Sequence, residues 1–475
     1  MKKFLFLLLI TICIFFDPNK TTLKVFLIEI NPILNTITNK DLYKHNDGHP
    51  YVSEYFSQRF DRALDELKED IKFASHGQLT VEIVQHSILN EFPKYTEKVK
   101  LLNEKSDYRY DETTYLSMSK SDDEKDKGDW FKLIYDPLFE QPENSFTFDY
   151  EYLIQKYDLV SKRNKNVFDH VWILGIDPLG TYETMMVGSG AFWINGSPIQ
   201  KECPHFMITG FTISRRDANL HALAHSLEDI INYAYKGIFF TVEEDIFVDE
   251  TQEAYEKLSY WEKFTLIDKL SKNQNAGVGF VHYPFNGASD YDYSNTKKVY
   301  SNWENWLNYP NINGTKNKYN NDAWMTLAGN AQLLKNSEEN QDPDRLYIRF
   351  WMYLFPHIDG YTEDGFLNNW WGYFTNLDYV TKIDTKQKNI TGYIGKEIEL
   401  NYDVYYQSGE IENVKYAKQD KNVQITGNCV KFSNNKLIGA QKAKCSVSIY
   451  RDGKNVTFSI NIVDSTNIYF IKFLE

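Results

Sequence analysis

The residues best suited to chemistry lie in one stretch, 216–235, with the sequence RDANLHALAHSLEDIINYAY. At helical spacing, His221, His225 and Glu228 fall on one face of this stretch, opposite a face of leucine and isoleucine. Two histidines one turn apart, followed by a carboxylate three residues later, can direct three donor atoms at one point. We therefore predict a helix that carries metal ligands at these three positions. A polar stripe is also typical of an ordinary solvated helix, and the pattern leaves that alternative open.

The elements before this helix predict how it is positioned. The apolar run 206–213 directly precedes it and is typical of a buried strand, and α/β proteins commonly bind ligands where a strand ends and a helix begins. Further upstream, 23–30 and 79–84 are predicted strands on either side of a predicted helix, 51–73. The run 167–176 is a further predicted strand. We expect an α+β or α/β main domain.

Two more predicted helices, 148–161 and 255–270, complete the regular part of the pattern. From 277 to 379 the sequence becomes a Trp/Tyr-rich irregular region with little periodicity. Tryptophan has a large apolar body and a polar edge, so it serves in cores and as a sugar-stacking surface. Besides Glu228, the candidate catalytic residues are His282 and His357, for which a hydrogen-bonded structural histidine is the alternative. The candidate substrate-binding residues of this region are Asn286, Asp290, Asp292 and Trp370.

Length and charge exclude some function classes. The 475 residues exceed one ordinary core, so about two or three domains are expected. A formal charge of −14 would repel phosphate, which argues against nucleic acid as a partner. Residues 1–17 read as a signal peptide, with an uncleaved anchor as the alternative and no transmembrane span after it. The expected localisation is therefore secreted or cell-surface.

Cysteines and glycosylation motifs agree with export. Cys429 and Cys445 are close in sequence, and we expect a disulfide between them within one small domain, while Cys203 stands alone. Acceptor motifs for N-linked glycans, which suit a secreted glycoprotein, occur at Asn313, Asn389 and Asn455.

The pattern changes again near residue 383. Short alternating runs separated by Gly, Asn and Asp turns predict a small antiparallel sandwich, including a strand over 397–405. This part resembles a bacterial-type immunoglobulin-like module, which implies a spacer or adhesive role. The expected division is a main domain over 18–380, with a subdivision near 130–165 as an option, and an all-β immunoglobulin-like sandwich over 385–475.

The His221-x-x-x-His225 helix resembles the metal-binding helix of zincin-type metallopeptidases, and this resemblance implies zinc. In that family a glutamate follows the first histidine and acts as general base. Here that position is Ala222. Either another acid is the base, with Glu228 or the acids at 243–245 as candidates, or the chain does not catalyse such hydrolysis.

The wider stretch 171–371 resembles a set of uncharacterised secreted microbial proteins, through its histidine helix, its VHYPFNGASDYD segment and its NNWW segment. The function that these features favour is a secreted zinc-dependent hydrolase, peptidase-like, acting on an extracellular peptide, with Glu228 or His282 completing the metal shell. One alternative is a non-catalytic cell-surface protein that binds an extracellular glycan through its tryptophans. The other is a glycosidase that uses two carboxylates.

Overall fold

The structure is a computed structural model. The predicted signal peptide and the acids at 243–245 lie outside the residues that it describes, as does the first half, 130–147, of the optional subdivision near 130–165. The described residues are 21–35, 40–41, 56–91, 148–175, 181–213, 216–236, 252–271, 276–326, 343–378, 380–406, 410–417 and 423–464.

The first part of the chain forms a six-stranded sheet with helices on both faces. The elements of this part are β1 Thr21–Ile30, β2 Ile33–Asn35, β3 Lys40–Asp41, α1 Phe56–Ala74, β4 Leu79–Leu89, α2 Tyr150–Lys156, α3 Leu159–Asn164, β5 His170–Gly175, β6 Thr184–Gly188, β7 Ile199–Gln200, β8 Phe206–Thr212 and α4 Arg216–Lys236. Strands β2 and β3 pair with each other and not with the six-stranded sheet. The strand order is β4-β1-β5-β8-β6-β7. Strands β4, β1, β5 and β8 are parallel, and β6 runs antiparallel to β8. The chain is therefore a mixed α/β protein, as its sequence pattern predicts.

Alternation along the strands creates two separate cores. Val25 and Leu27 of β1 belong to the core under α1 and α4, while Phe26 and Ile28 belong to the core under α2 and α3. All of these side chains are 0–1% exposed. A sheet covered on both faces needs apolar residues in both directions, which explains why these strands read as nearly continuous apolar runs.

Short elements from residue 252 onward, including the region rich in tryptophan and tyrosine, cover α4. These are α5 Gln252–Lys257, α6 Tyr260–Thr265, β9 Gly279–Phe280, β10 Tyr283–Pro284, β11 Val299–Ser301, a 3₁₀ helix Trp303–Asn308, β12 Asn317–Tyr319, α7 Asp322–Thr326, α8 Pro343–Tyr353, β13 His357–Tyr361, β14 Leu367–Asn369 and α9 Trp371–Thr375. The strands pair only as three two-stranded sheets, β9 with β10, β11 with β12 and β13 with β14. Aromatic packing, not an extended sheet, holds this region on the main core.

The last part of the chain is made of strands. They are β15 Val380–Asp384, β16 Asn389–Tyr393, β17 Tyr402–Tyr406, β18 Ile411–Val414, β19 Val423–Thr426, β20 Val430–Ser433, β21 Lys436–Gly439, β22 Ala443–Arg451 and β23 Lys454–Val463. A three-stranded sheet, β15-β17-β18, and a four-stranded sheet, β16-β23-β22-β19, share one apolar core. The predicted Cys429–Cys445 disulfide is present in this part.

Three predicted elements differ in the structure. The predicted helix 148–161 is two helices, α2 and α3, because Asp158 between them has a left-handed backbone conformation with φ 51°. The predicted helix 255–270 is divided into α5 and α6 at Ser259, which starts α6 through a reciprocal capping box with Glu262. The predicted strand 397–405 begins only at Tyr402. Among the described residues, no helix is long and apolar enough to span a bilayer.

Candidate metal centre

Helix α4 is buried on both of its faces. It packs against β8 on one side and against α1, α8 and α9 on others. Its two histidines, His221 and His225, are only 5% and 8% exposed. A solvated helix would present its polar stripe to water, so this alternative does not apply to α4.

The start of α4 is fixed to the strand that precedes it. The Asn219 side chain accepts a hydrogen bond from the backbone N–H of Thr212 (2.7 Å) and donates one to the Thr212 carbonyl (2.8 Å). Both backbone groups belong to the last residue of β8. This paired contact holds the first turn of α4 at the carboxyl edge of the sheet.

A third histidine, His282, is brought to α4 by the turn between β9 and β10. This hairpin is fixed by hydrogen bonds from side chains around it. Trp351 Nε1 donates to the Gly279 carbonyl (2.8 Å), and Tyr293 Oη donates to the Val281 carbonyl (2.8 Å). Val281 N–H in turn donates to the Glu228 carboxylate on α4 (2.9 Å). His282 is therefore held by the packing of α8 and α4, although it lies in a loop.

The Nε2 atoms of the three histidines form a nearly equilateral triangle. The separations are 3.0 Å for His221–His225, 3.1 Å for His221–His282 and 2.9 Å for His225–His282. An imidazole nitrogen either carries a proton or offers a lone pair. Three adjacent nitrogens can therefore form at most two hydrogen bonds, which leaves one pair mismatched. A cation removes this mismatch because it accepts all three lone pairs, and this group could hold a metal ion.

Each histidine has a carboxylate beside its other ring nitrogen. The Nδ1 atoms lie 3.0 Å from Asp290 Oδ1 for His282, 3.3 Å from Glu228 Oε2 for His225 and 3.5 Å from Asp344 Oδ1 for His221. At 3.5 Å, the Asp344 contact is a charge contact and not a hydrogen bond. A carboxylate that accepts the Nδ1 proton leaves a lone pair on Nε2, which is the arrangement that supports metal-bound histidines.

Burial and charge set the pKa values of these histidines. Burial lowers the pKa of His225 to about 4. Burial, and then the neighbouring His225 and His221, lower the pKa of His282 to about 4. Burial also acts to lower the pKa of His221, but Asp344 and the charge of Glu183 outweigh it, so this pKa is raised. Two of the three rings are thus neutral near pH 7, as metal ligands must be.

Two further groups lie beside the three nitrogens. Tyr291 Oη is 3.0 Å from His282 Nε2, and its ring packs against His282 with the centroids 4.3 Å apart. Glu183 Oε2 is 3.7 Å from His225 Nε2. The Tyr291 residue is 52% exposed and the Glu183 side chain is 43% exposed, so both connect the buried nitrogens with solvent.

Glu228 and Asp290 lie at the site, but on the Nδ1 side of the histidines and not within the triangle of Nε2 atoms. Glu228 uses both carboxylate oxygens, one at His225 Nδ1 and the other as acceptor of the Val281 N–H. Burial raises the pKa of Glu228. In the triangle of nitrogens, the third position is occupied by His282, which was one of the two residues expected to complete the metal shell.

Asn286 and Asp292 organise the loop that carries Asp290. Asn286 Nδ2 donates to the carbonyls of Asn295 (2.8 Å) and Lys297 (3.0 Å). Asp292 Oδ2 accepts from the Ala288 N–H (2.9 Å) and from Asn295 Nδ2 (2.6 Å). These contacts give both residues a role in loop structure.

His357 and Trp370 have their contacts elsewhere. His357 stacks on His76 with the centroids 3.7 Å apart, and its Nδ1 bonds the Phe355 carbonyl at 2.9 Å. Trp370 is 0% exposed and its Nε1 donates to Tyr235 Oη. The Trp370 ring packs among Trp261, Phe264, Trp306 and Phe355. Its face is therefore occupied by core side chains and does not offer a surface on which a sugar could stack.

Sequence reasoning gave Asp344 and Tyr291 no role. Asp344 lies in the first turn of α8, where an acid is common for reasons of helix stability alone. Tyr291 lies between Asp290 and Asp292, which were both candidates. Its left-handed backbone (φ 57°), which is uncommon for a bulky residue, is visible only in the structure.

A scan against protein-family models finds no model that matches the chain, and a search of curated proteins finds no match either.

Proposed function

We propose that the protein is a secreted zinc-dependent hydrolase of peptidase-like type. The observation that carries this proposal is the convergence of His221, His225 and His282, each with a carboxylate beside its Nδ1. Structural histidines need no such convergence, because ordinary donors and acceptors such as backbone groups can satisfy the two ring nitrogens separately. Catalytic zinc sites typically have three protein ligands and one open position, which fits a group of three.

The spacing of the nitrogens fits zinc. Tetrahedral bonds of ~2.0–2.1 Å place ligand nitrogens about 3.3 Å apart. The three Nε2 atoms are 2.9–3.1 Å apart, so a small outward shift of each ring would accommodate the ion. When bound, the ion would lower the pKa of a coordinated water and polarise a substrate carbonyl. His221, His225 and His282 would hold it.

The C-terminal strands support the export part of the proposal. The disulfide Cys429–Cys445 suits an oxidising compartment, and the glycan acceptors Asn313, Asn389 and Asn455 are all exposed. Two sheets around one core are what an immunoglobulin-like spacer would need. We propose that this part separates the metal centre from a surface or a partner.

The glycan-binding alternative has less support. The six tryptophans between 277 and 379 are at most 8% exposed, so they form core. Of the tryptophans in the described ranges, Trp193 is the exposed one, at 42%.

The test is metal content together with hydrolysis. The full chain, purified without chelators, should contain about one zinc per molecule and should cleave a mixture of quenched-fluorescent peptides. A chelator should abolish cleavage, and added Zn²⁺ should restore it. Wild-type protein that neither contains zinc nor takes it up would refute the proposal.

A further inference from the structure

The zincin-type resemblance does not identify the general base of the proposed hydrolysis. Ala222 occupies the position where that family has its glutamate, and Ala222 is a buried residue with no acidic group. Glu228 is not free for this task, because its two oxygens are bound to His225 and Val281. A general base must reach the attacking water directly, so another acid beside the three nitrogens is required.

Glu183 is placed beside the nitrogens by the sheet. It directly precedes β6, which runs antiparallel to β8, so the start of β6 lies next to the end of β8. The Glu183 carbonyl accepts the Gly210 N–H (3.1 Å), which fixes the backbone at the edge where α4 begins. Two adjacent antiparallel strands thus deliver an acid and a histidine helix to the same place.

The Glu183 side chain is held by Asn195 and directed towards His225. Its Oε2 accepts a hydrogen bond from Asn195 Nδ2 (2.6 Å) and lies 3.7 Å from His225 Nε2. The three histidine nitrogens are only 2.9–3.1 Å apart. The Glu183 carboxylate is therefore farther from His225 Nε2 than the histidine nitrogens are from one another. Its 43% exposure leaves space for water and substrate.

We propose that Glu183 is the general base of this site, supplied by the sheet and not by the histidine helix, an inference that rests on the proposed hydrolase function. The Glu183 carboxylate takes one proton from a water beside the three nitrogens. The oxygen of that water forms a bond to the carbonyl carbon of the peptide, and the C=O electron pair moves onto its oxygen. This pair then re-forms the double bond as the C–N bond breaks. The proton passes from Glu183 to the leaving nitrogen, which gives an acid and an amine.

The test compares Glu183→Gln with Glu202→Gln, a change of an exposed glutamate that has no contact with the three histidines among those described. Glu183→Gln should keep its full zinc content and should bind an uncleaved peptide as the wild type does, by calorimetry. Its kcat should fall about 10²–10⁴-fold. In Glu183→Ala, added formate should restore part of the activity, because a small carboxylate can enter the space of the removed one. Glu202→Gln should equal the wild type in every assay.

The outcomes separate the two proposals. If wild-type protein holds zinc and cleaves peptides but Glu183→Gln is equally active, the role of Glu183 is overturned and the hydrolase function stands. If Glu183→Gln loses its zinc, Glu183 is a ligand and the base assignment is overturned. If the wild type itself holds no zinc, both proposals fail together.

Discussion

Among the described residues, two groups of adjacent histidines are built in opposite ways. In the candidate metal centre, His221, His225 and His282 direct one nitrogen each at a common point and the other at a carboxylate. In the second group, His76 and His357 stack face to face. His76 hydrogen-bonds the backbone carbonyl of Tyr353, and His357 hydrogen-bonds that of Phe355.

The partner of each ring nitrogen is what distinguishes the groups. A backbone carbonyl fully satisfies one N–H, so the stacked pair needs no further partner on that nitrogen. A carboxylate at Nδ1 also stabilises the neutral tautomer with its lone pair on Nε2. Proximity of histidines is therefore weak support for a metal site, whereas convergence of their free nitrogens is strong support.

The largest expected effect is on metal content when the two groups are altered in parallel. His282→Ala removes one of three ligands and should lower zinc from about one per chain to near zero. His357→Ala, the matched change in the stacked pair, should keep the wild-type value. Elemental analysis of both purified proteins checks this, and equal zinc content in the two variants would contradict the distinction.

A smaller effect is expected from the carboxylates behind the ligands. Asp290→Ala removes the carboxylate that lies 3.0 Å from His282 Nδ1 and should weaken zinc binding about 10–100-fold. Asp292→Asn changes a neighbouring acid that bonds Ala288 and Asn295, and it should bind zinc like the wild type. Competition with a chromophoric chelator measures both affinities. Unchanged affinity in Asp290→Ala would mean that the carboxylate does not support the ligand.

The third prediction concerns a structural histidine and stability, not metal. Burial lowers the pKa of His170 to about 3, and its Nε2 bonds the Phe374 carbonyl at 2.9 Å. Because protons bind the unfolded chain more readily, the stability from a neutral His170 is complete above pH ~6.5 and is lost as the pH falls from there towards 3. At pH 5 the loss should be about 2 kcal/mol.

The His170→Gln variant tests this, since glutamine can donate to the same carbonyl but does not titrate. The free energy of unfolding in urea should fall more steeply from pH 8 to pH 5 in the wild type than in the variant. Parallel curves would show that His170 does not titrate on unfolding, and zinc content should be the same in both proteins.

Part of the site could be predicted from sequence. The helical period alone placed His221 and His225 on one face, and the strand before them placed that face near the edge of a sheet. Glu228 has the same helical spacing, yet its carboxylate lies beside His225 Nδ1 and not among the Nε2 atoms. The sequence pattern could not predict this, because it does not show side-chain rotamers. Asp344 is far along the chain, and only the packing of α8 on α4 brings it near His221.

The fold shows the same limit. Apolar runs predicted β1, β4, β5 and β8 of the main sheet, whereas the short strands β6 and β7 were not predicted. The helices at 148–161 and 255–270 were predicted as single elements, although a left-handed residue and a capping box divide them. The tryptophan-rich region has no hydrophobic periodicity, so its role as an aromatic core packed over α4 could be seen only in the tertiary structure.

The most direct measurement is anomalous X-ray scattering from crystals of the full chain, collected on both sides of the zinc absorption edge. The account predicts one strong peak among the three histidines, at ~2.0–2.1 Å from the Nε2 atoms of His221, His225 and His282. Crystals grown with added Zn²⁺ that show no anomalous peak at these three nitrogens would contradict it.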